Sequence, residues 1–331
     1  MMDLSKVDTL VFGGAGSAGV AYLSVLRKMI NDRRLCMAKV KSFAGTSAGA
    51  VIATLLSAGF SPDEILAIQE GMIKNGCFEV GIFSKAKNLM QGYGLKSFDK
   101  VLAYLYATWI HKEEHRLKPN TTFRELQART QTDLFITGTN VTKKRLEIFS
   151  HYTTPNMKVM DAVEISMSAT PVFKCVERNG DVYANGACML NYPINIFMEP
   201  STVFEQPDNR LDLKIDYKNL NNPHADNRIL FPNYKLNTTC DNSIKKKPEQ
   251  ILGFLLDGNP PSGVNNVIDF FTSIFFIIVN KETAMLRESV QQRSIQITRE
   301  SSTSVFDFSV EAHTEFVHLG EKTYQRTFSQ L

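Results

Sequence analysis

Apolar residues along this chain alternate between short continuous runs and longer stretches with helical spacing. Residues 9–12 and 40–44 are apolar runs that end in glycines, and they predict buried strands followed by tight turns. Helical spacing after each turn predicts helices at residues 20–30 and from the turn at 45–49 to Leu56. The same patterns predict one helix that begins at Ser61 and further helices at 96–110, 122–129 and 159–167. They also predict strands at 134–141 and 146–149.

Strands that alternate with helices over the first 200 residues predict an α/β sheet that is mainly parallel. Asn179-Gly180 predicts a hairpin turn that leads into an apolar pair at residues 182–183. Residues 201–250 are rich in Asn, Asp, Pro and Lys, which predicts a variable excursion. We predict one domain over residues 1–331, with core motifs at 8–200, the excursion at about 201–250, and a helix/strand/helix segment at about 251–331 (helix 264–292, strand 294–298 and a last helix after Gly320).

Composition narrows the class of protein. Lys and Arg number 37 against 34 Asp and Glu, a net charge of +3 that is too balanced to indicate nucleic acid as the main partner. The five cysteines are widely spaced without a CxxC pair, which indicates free thiols in a reducing compartment. The N-terminus lacks the apolar core of a signal peptide, and the most apolar stretch is too short to span a bilayer. We therefore expect an intracellular protein that is not integral to a membrane.

The sharpest motif is Gly45-Thr46-Ser47-Ala48-Gly49, a G-x-S-x-G sequence between a predicted strand and a predicted helix. A strained turn in this context exposes the serine hydroxyl at the end of a sheet, and Gly45 and Gly49 leave room for the tight backbone. The following helix directs its N-terminal N–H groups at charge that develops near Ser47. The motif favours a nucleophilic serine over a structural turn of small residues.

A second glycine-rich loop, residues 13–19, also lies between a predicted strand and a predicted helix. Gly14, Gly16 and Gly19 form a GxGxxG pattern that could cradle the phosphate of a nucleotide. No Lys-Ser/Thr pair follows, and no acidic ribose ligand ends a second strand, so the alternative is an oxyanion hole made of backbone N–H groups. In an open α/β sheet, two such loops on adjacent strands would face one crevice.

A serine nucleophile needs a base. The six histidines stand in contexts that predict surface or loop positions outside any catalytic triad; they are His111, His115, His151, His224, His313 and His318. A carboxylate or a lysine would therefore have to accept the serine proton.

At this point the ordered motifs resemble the patatin-like phospholipase family. The resemblance is carried by GGAGSAGVAYLSVL, GTSAG, FITGTN, SMSATPVF and YANGACMLNYP, with TFREL and the tail VFDFSV as further matches. It covers nearly the whole chain and is weakest at residues 201–250. It implies a three-layer α/β sandwich with a mainly parallel central sheet flanked by helices, and a lipid acyl hydrolase that uses a Ser–Asp dyad without a cofactor.

The resemblance also assigns roles to residues. Ser47 matches the nucleophile, and Gly14, Ala15 and Gly16 match the oxyanion loop, with Gly19, Gly45, Gly49 and Gly186 as supports of the loops. Ala15 stands where the family often has glycine, and Ala18 where it often has a basic residue. Backbone N–H donors survive both changes, so the oxyanion hole remains possible, although the lost charge weakens contact with a lipid headgroup.

The serious departure is Asn185-Gly186-Ala187, where the family has Asp-Gly-Gly or Asp-Gly-Ala. An amide is far too weakly basic to accept the proton of Ser47, so we expect activity to fall by at least the roughly 10²–10⁴-fold that base catalysis typically supplies. Three interpretations remain open: an engineered substitution that preserves shape, a natural lipid-binding pseudoenzyme, or an Asn-Gly step that deamidates in part to aspartate. The first is favoured modestly, because every other motif of the site is intact.

The predicted partners are a lipid or phospholipid and, transiently, a membrane surface. Phe270, Phe271, Phe275 and Phe276 lie in the predicted C-terminal helix, as a core-packing face or as an interfacial face. Lys245-Lys246-Lys247 is typical of a solvated run, although it would suit an anionic membrane. No acidic loop indicates calcium, and no metal is predicted. A cytoplasmic or host-cell location peripheral to membranes is expected, and the sequence does not indicate the oligomeric state.

Overall fold

The structure is a computed structural model that describes residues 3–79, 94–110, 118–198, 244–257, 263–264, 267–299 and 303–328. Its strands are β1 (Thr9–Phe12), β2 (Ser42–Gly45), β3 (Asp133–Asn140), β4 (Arg145–Phe149), β5 (Val176–Arg178), β6 (Asp181–Asn185), β7 (Ile251–Asp257) and β8 (Ser294–Thr298). Its helices are α1 (Val20–Asn31), α2 (Ala48–Ser57), α3 (Pro62–Lys74), α4 (Asp99–Ile110), α5 (Phe123–Thr130), α6 (Val159–Met167), α7 (Val267–Ala284), α8 (Glu288–Gln291) and α9 (Val310–Phe328).

The strands form one mixed sheet in the order β5-β6-β3-β2-β1-β7-β8, with β4 also paired to β3. The five strands from β3 to β8 in this order are parallel to their neighbours, whereas β4, β5 and β6 add antiparallel pairs. The predicted α/β fold with a central sheet flanked by helices is therefore confirmed. The antiparallel part arises at the Asn179-Gly180 turn, where both residues have positive φ (51° and 80°) as a tight hairpin requires.

The pairing of β3 explains how two distant segments meet. Strand β4 pairs with one edge of β3. The other edge of β3 pairs first with β2, along residues 133–136, and then with β6, along residues 138–140. Strand β2 ends at Gly45 opposite Ile136, and the antiparallel β6 ends at Asn185 opposite Gly138. Because β2 and β6 approach from opposite directions, the turn after Gly45 and the end of β6 arrive at the same place.

The sheet has a buried apolar cluster on each face. Along β1, Leu10 and Phe12 belong to the cluster that includes residues of α1, α2 and α9, and Val11 belongs to the other cluster. This alternation is what a strand buried on both faces requires. The second face is covered, in the described part of the chain, by residues 192–198, Ile244 and α8.

Most predicted elements are confirmed with shifts of a few residues at their ends. Ser61 is the N-cap of α3 and Thr122 is the N-cap of α5, and each forms a capping box with the Glu three residues later. Almost all of the predicted excursion lies outside the described residues. Among the described helices we find no candidate for a bilayer-spanning segment.

The C-terminal prediction of a helix, a strand and a helix is wrong in three respects. Strand β7 precedes the first helix and pairs with both β1 and β8. The long predicted helix is two helices, α7 and α8, which are separated at residues 285–287. The last helix begins at Val310 instead of after Gly320, because Ser309 Oγ caps it by accepting the N–H of Ala312 at 3.1 Å.

The predicted phenylalanine face and the lysine run are also refined. Phe270 is exposed and Phe276 is buried, whereas the side chains of Phe271 and Phe275 lie outside the description. Lys245 donates to the carbonyl of Met198 at 3.3 Å, and Lys246 forms an ion pair with Asp8 at 3.3 Å. The lysine run is therefore partly tied to the protein and is not the fully solvated run that was predicted.

Candidate active site

Ser47 lies in a strained turn between β2 and α2. Its backbone has φ 56° and ψ −125°, a conformation that is uncommon for any residue with a side chain. The turn is tight because the flanking glycines pack backbone against backbone: a β-carbon at Gly45 would lie 2.2 Å from the Gly49 carbonyl oxygen. The Ser47 N–H donates to Ser166 Oγ at 2.9 Å, which holds the turn against α6. The strained turn lies between a strand and a helix, the context in which the sequence motif predicts a nucleophile elbow.

Asn185 ends β6 directly beside that turn and is completely buried. Its Nδ2 donates to Ser47 Oγ at 2.9 Å, and its Oδ1 accepts the N–H of Ala187 at 2.8 Å. Its backbone is held as well, because its N–H donates to the Ser168 carbonyl at 2.9 Å and its carbonyl accepts from Thr139 Oγ1 at 2.8 Å. The structure thus brings together the two residues that were predicted as a pair.

The N–H of Ala187 sets the orientation of the Asn185 amide. If the amide were flipped, Nδ2 would face this N–H, and two donors would oppose each other. The unflipped amide directs Nδ2 at Ser47 Oγ, so the serine oxygen accepts a hydrogen bond from Asn185. The Ser47 proton therefore has no acceptor at Asn185 in this arrangement. An aspartate in the same place could accept from both Ala187 and Ser47.

Buried hydroxyl groups hold the segments that carry Ser47 and Asn185. Thr46 Oγ1 and Thr137 Oγ1 are hydrogen-bonded at 2.7 Å, and Thr46 Oγ1 also donates to the Leu190 carbonyl at 3.1 Å. A β-carbon at Gly186 would lie 2.1 Å from Thr137 Oγ1, so only glycine fits after Asn185. The network joins the elbow to the turn after β6 and fixes the distance between Ser47 and Asn185.

The predicted oxyanion loop lies against the same serine. The Gly14 N–H donates to the Asn191 carbonyl at 3.2 Å, and the Ser17 N–H donates to the Val305 carbonyl at 2.8 Å. Between them, the N–H groups of Ala15 and Gly16 have no hydrogen-bond partner among the described residues. Both residues line a pocket that Ser47 also lines.

The supporting glycines of this loop have close neighbours. Gly16 has φ 55°, and a β-carbon there would lie 2.2 Å from the Val305 carbonyl oxygen. A β-carbon at Gly19 would lie 3.3 Å from the β-carbon of Ala48, so the loop packs directly on the start of α2. These contacts hold the loop at the elbow.

Two pockets meet at Ser47. The larger has an empty volume of about 720 Å³ and the smaller one of about 380 Å³, and both volumes include open solvent at the mouth. Apolar side chains dominate the larger pocket, among them Met72, Phe78, Phe98, Phe173 and Phe308. The smaller pocket lies under α7 and is lined by Leu256, Phe276, Val279, Val305 and Phe306 besides the glycine loop and Ser47.

His313 departs from the prediction of a surface or loop histidine. It lies in α9, is half-buried and lines the larger pocket, as does Asp307. Burial lowers the pKa of His313, and its Nδ1 has no hydrogen-bond partner among the described residues. Neither His313 nor Asp307 is hydrogen-bonded to Ser47 in the described structure, so neither takes the place of a base there.

Two further residues at this site, Asn191 and Glu282, received no role in the sequence analysis: Asn191 lies within the YANGACMLNYP motif, whereas no motif contains Glu282. Asn191 is 1% exposed, and neither polar atom of its side chain has a partner among the described residues. A β-carbon at Gly14 would lie 2.5 Å from Asn191 Oδ1, so this amide lies against the glycine loop. Glu282 of α7 accepts the N–H groups of Asn191 and Tyr192, at 2.6 Å and 3.0 Å.

In the part of the chain that the structure describes, no group of three or more His, Cys, Asp or Glu could hold a metal ion. Residues 10–198, more than half of the chain, match the sequence profile of the patatin-like phospholipase family. The chain belongs to this family. The match includes the elbow, the glycine loop and the turn that carries Asn185.

Two curated proteins are similar in sequence to this chain. The chain is 28% identical to the probable lipid hydrolase 463L of Invertebrate iridescent virus 6 over 188 residues, which cover 57% of this chain and 62% of that protein. It is 31% identical to the uncharacterized protein R571 of Acanthamoeba polyphaga mimivirus over 193 residues, which cover 58% of this chain and 62% of that protein. The matched region thus spans less than two thirds of either relative.

Among solved structures, VipD from Legionella pneumophila is similar in fold. The similarity covers 97% of this chain and 66% of that chain, with a TM-score of 0.54 and 14% sequence identity. At this identity the match speaks for the fold alone.

Proposed function

We propose that this chain is a lipid acyl hydrolase scaffold whose nucleophile is Ser47 and whose base position is occupied by Asn185. The observation that carries the proposal is the hydrogen bond of 2.9 Å from Asn185 Nδ2 to Ser47 Oγ, between an elbow serine and the end of β6. A serine in a strained turn at the start of a helix, paired with a side chain in the position of a base, is the arrangement that acyl transfer needs.

The chemistry follows from these positions. Ser47 Oγ attacks the carbonyl carbon of an acyl ester, and the N–H groups of Ala15 and Gly16 donate to the oxygen that becomes negative. The Gly14 N–H donates to the Asn191 carbonyl, so Gly14 acts through the shape of the loop. Collapse of the tetrahedral intermediate expels the alcohol, which takes a proton, and water then cleaves the acyl-enzyme.

The missing step is transfer of the serine proton. A carboxylate at position 185 would accept it and later return it to the alcohol. Asn185 donates to Ser47 and cannot do either, so the chain is strongly impaired, by roughly 10²–10⁴-fold. Deamidation would have to begin at an amide that is fully buried and hydrogen-bonded through both of its polar atoms, which disfavours that route to an aspartate.

A natural lipid-binding pseudoenzyme is the second candidate. It is favoured by the same observation, because Asn185 is hydrogen-bonded to both Ser47 and Ala187 through its two polar atoms. A nucleotide-binding loop is disfavoured: the Gly14 and Ser17 N–H groups and the Ser17 hydroxyl, which a phosphate would need, already donate to backbone carbonyls.

We also propose that α7 brings the site to a lipid surface. Its inner residues Phe276 and Val279 line the smaller pocket, whereas Phe270, Ile274 and Ile277 are exposed and spaced as one apolar stripe. A stripe of this kind on the helix that covers the pocket is suited to contact with a membrane interface. The protein would then be peripheral to membranes in the cytoplasm or in a host-cell cytosol.

The test is ester hydrolysis by the native chain, by Asn185→Asp and by the double variant Asn185→Asp/Ser47→Ala. We expect Asn185→Asp to hydrolyse a phospholipid much faster than the native chain, and the double variant to be inert. If Asn185→Asp is folded but as slow as the native chain, or if Ser47→Ala leaves its rate unchanged, the hydrolase proposal is wrong.

A further inference from the structure

A further cavity lies at the end of the sheet opposite Ser47. It is lined by residues 3–5, which precede β1, and by residues of the segment 33–39, which links α1 to β2. The parallel strands β1 and β2 run from this end toward the turn that carries Ser47, so their length separates the cavity from the candidate active site. The cavity has an empty volume of about 990 Å³, which includes open solvent at its mouth.

Positive charge dominates this cavity. Three cationic side chains line it, those of Arg33, Arg34 and Lys39, against the single carboxylate of Asp3. The Asp3 carboxylate accepts the N–H of Ser5 at 2.9 Å, and Lys39 Nζ donates to the Ser5 carbonyl at 3.3 Å. Within the described residues, none of the three cations forms an ion pair with a carboxylate. Such cations repel one another, and an anion bound between them relieves that repulsion.

The guanidinium of Arg34 is held in place by aromatic side chains of α9. Its Nε donates to the hydroxyl of Tyr324 at 3.1 Å, and the group lies over the ring of Phe328, 5.1 Å from the ring centroid. The Tyr324 hydroxyl donates to Asp32, so that carboxylate contacts the hydroxyl and not the guanidinium. The two terminal nitrogens of Arg34 have no hydrogen-bond partner in the described part of the chain, and such a fork can bind two oxygens of one phosphate.

Arg33 occupies a backbone position in which glycine is the usual residue. Its φ is 55°, and its N–H donates to the Ile30 carbonyl at 2.9 Å, which closes the end of α1. Cations at this end of a helix can serve the helix dipole. However, no side chain of the three cations donates to a carbonyl of the last turn of α1 among the described residues. A strained residue whose cationic side chain lines a cavity is better explained by ligand binding than by local folding.

We propose that this cavity binds a small soluble molecule that carries two or more phosphate groups. Three cations against one carboxylate favour a multiply charged anion, and the fork of Arg34 matches the geometry of phosphate oxygens. The position favours a free ligand over a lipid headgroup, because a membrane bound at this end of the sheet would hold Ser47 away from its surface. The site uses neither Ser47 nor Asn185, so it is independent of the proposed hydrolase function.

Calorimetric titration of the native chain with inorganic tripolyphosphate tests the proposal. Inorganic phosphate at equal ionic strength is the comparison, because salt screens the binding of both anions. One additional hydrogen bond to a charged group strengthens binding by roughly tenfold, so we expect tripolyphosphate to bind roughly tenfold tighter than phosphate or better. Equal affinity for the two anions would overturn the proposal. Binding to vesicles that contain phosphatidic acid, without any binding of free tripolyphosphate, would overturn it as well.

Variants locate the site in this cavity. Arg34→Gln removes the guanidinium fork and should weaken tripolyphosphate by roughly tenfold or more. Arg124→Gln, which removes the same charge from the exposed surface of α5, is the matched control and should leave the affinity within about twofold of the native value. If Arg34→Gln weakens binding no more than Arg124→Gln does, the ligand is not bound in this cavity.

Arg33→Gly separates a role in binding from a role in folding. Glycine adopts φ 55° without strain, so the variant should unfold at an equal or higher urea concentration than the native chain. We nevertheless expect it to bind tripolyphosphate more weakly, by roughly tenfold, because one of the three cations is lost. Unchanged affinity of Arg33→Gly for tripolyphosphate, at any stability, would contradict the role of Arg33.

Discussion

Replacing Glu282 tests a contact that joins helix α7 to the active-site loop. The Glu282 side chain is half-buried beside Asn191 and Tyr192, and its carboxylate accepts the backbone N–H of each. Burial raises the pKa of Glu282 from 4.5 to about 7, and the two N–H donors oppose this shift only in part. The contact is therefore made by a carboxyl group that changes its charge close to neutral pH.

The sign of the effect follows from the two pKa values. Below pH 4.5 the group is protonated in both the folded and the unfolded chain. Between pH 4.5 and about 7, the folded chain keeps a proton that the unfolded chain has lost, so the free energy of unfolding falls as the pH rises. At about 1.4 kcal/mol per pH unit, the loss from pH 5 to pH 8 is at most about 2.5 kcal/mol, since the side chain keeps some exposure to water.

Glu282→Gln removes this dependence, because glutamine stays neutral. The variant accepts only one of the two N–H groups through its carbonyl oxygen, so we expect it to be less stable than the native chain at pH 5, by about 1 kcal/mol or more. Urea unfolding of both proteins at pH 5 and pH 8 measures the difference in free energy of unfolding at each pH. Relative to the native chain, the free energy of unfolding of the variant should be about 2 kcal/mol more favourable at pH 8 than at pH 5.

Comparison with the native chain cancels the titration of other groups, and Glu288→Gln, the same substitution on the exposed surface of α8, provides a matched control. If the difference between the native chain and Glu282→Gln is the same at both pH values, the buried carboxyl group does not titrate as the structure implies.

Three further predictions concern the elbow, the loop and α7. Gly49→Ala should cost more than 2 kcal/mol of unfolding free energy by urea titration, because its β-carbon would lie 2.3 Å from the Phe12 carbonyl oxygen; an unaffected midpoint would contradict the close packing. Asn191→Leu should unfold at an equal or higher urea concentration than the native chain, because it removes a buried amide without partners; a large loss would mean that the amide is satisfied. Ile277→Asp should weaken co-flotation with phospholipid vesicles without lowering the melting temperature, since Ile277 is 63% exposed; unchanged flotation would exclude the α7 stripe as an interface.

Local chemistry explains which parts of the fold could be predicted. The elbow at Ser47, the capping boxes at Ser61 and Thr122, and the hairpin at Asn179-Gly180 depend on residues within a few positions of one another. Strand β7 was missed, although its continuous apolar run is typical of a strand buried on both faces, because it directly follows the polar excursion. The start of α9 at Val310 had a visible cap in Ser309 that the prediction did not use.

The parts of the site that could not be predicted depend on long-range contacts. Glu282 contacts Asn191 and Tyr192 from about 90 positions further along the chain, and only the packing of α7 brings them together. The orientation of the Asn185 amide depends on one N–H, that of Ala187, and on how β2 and β6 meet along β3. No sequence pattern encodes either arrangement, whereas the resemblance to the family did identify Ser47 and position 185 as a pair.

The most direct measurement is the initial rate of fatty acid release from phospholipid vesicles by the native chain and by Asn185→Asp at equal concentration. A carboxylate at this position can accept both the Ala187 N–H and the Ser47 proton, so the rate should rise by roughly 10²–10⁴-fold. Equal rates from the two folded proteins would contradict the claim that Asn185 occupies the position of the catalytic base.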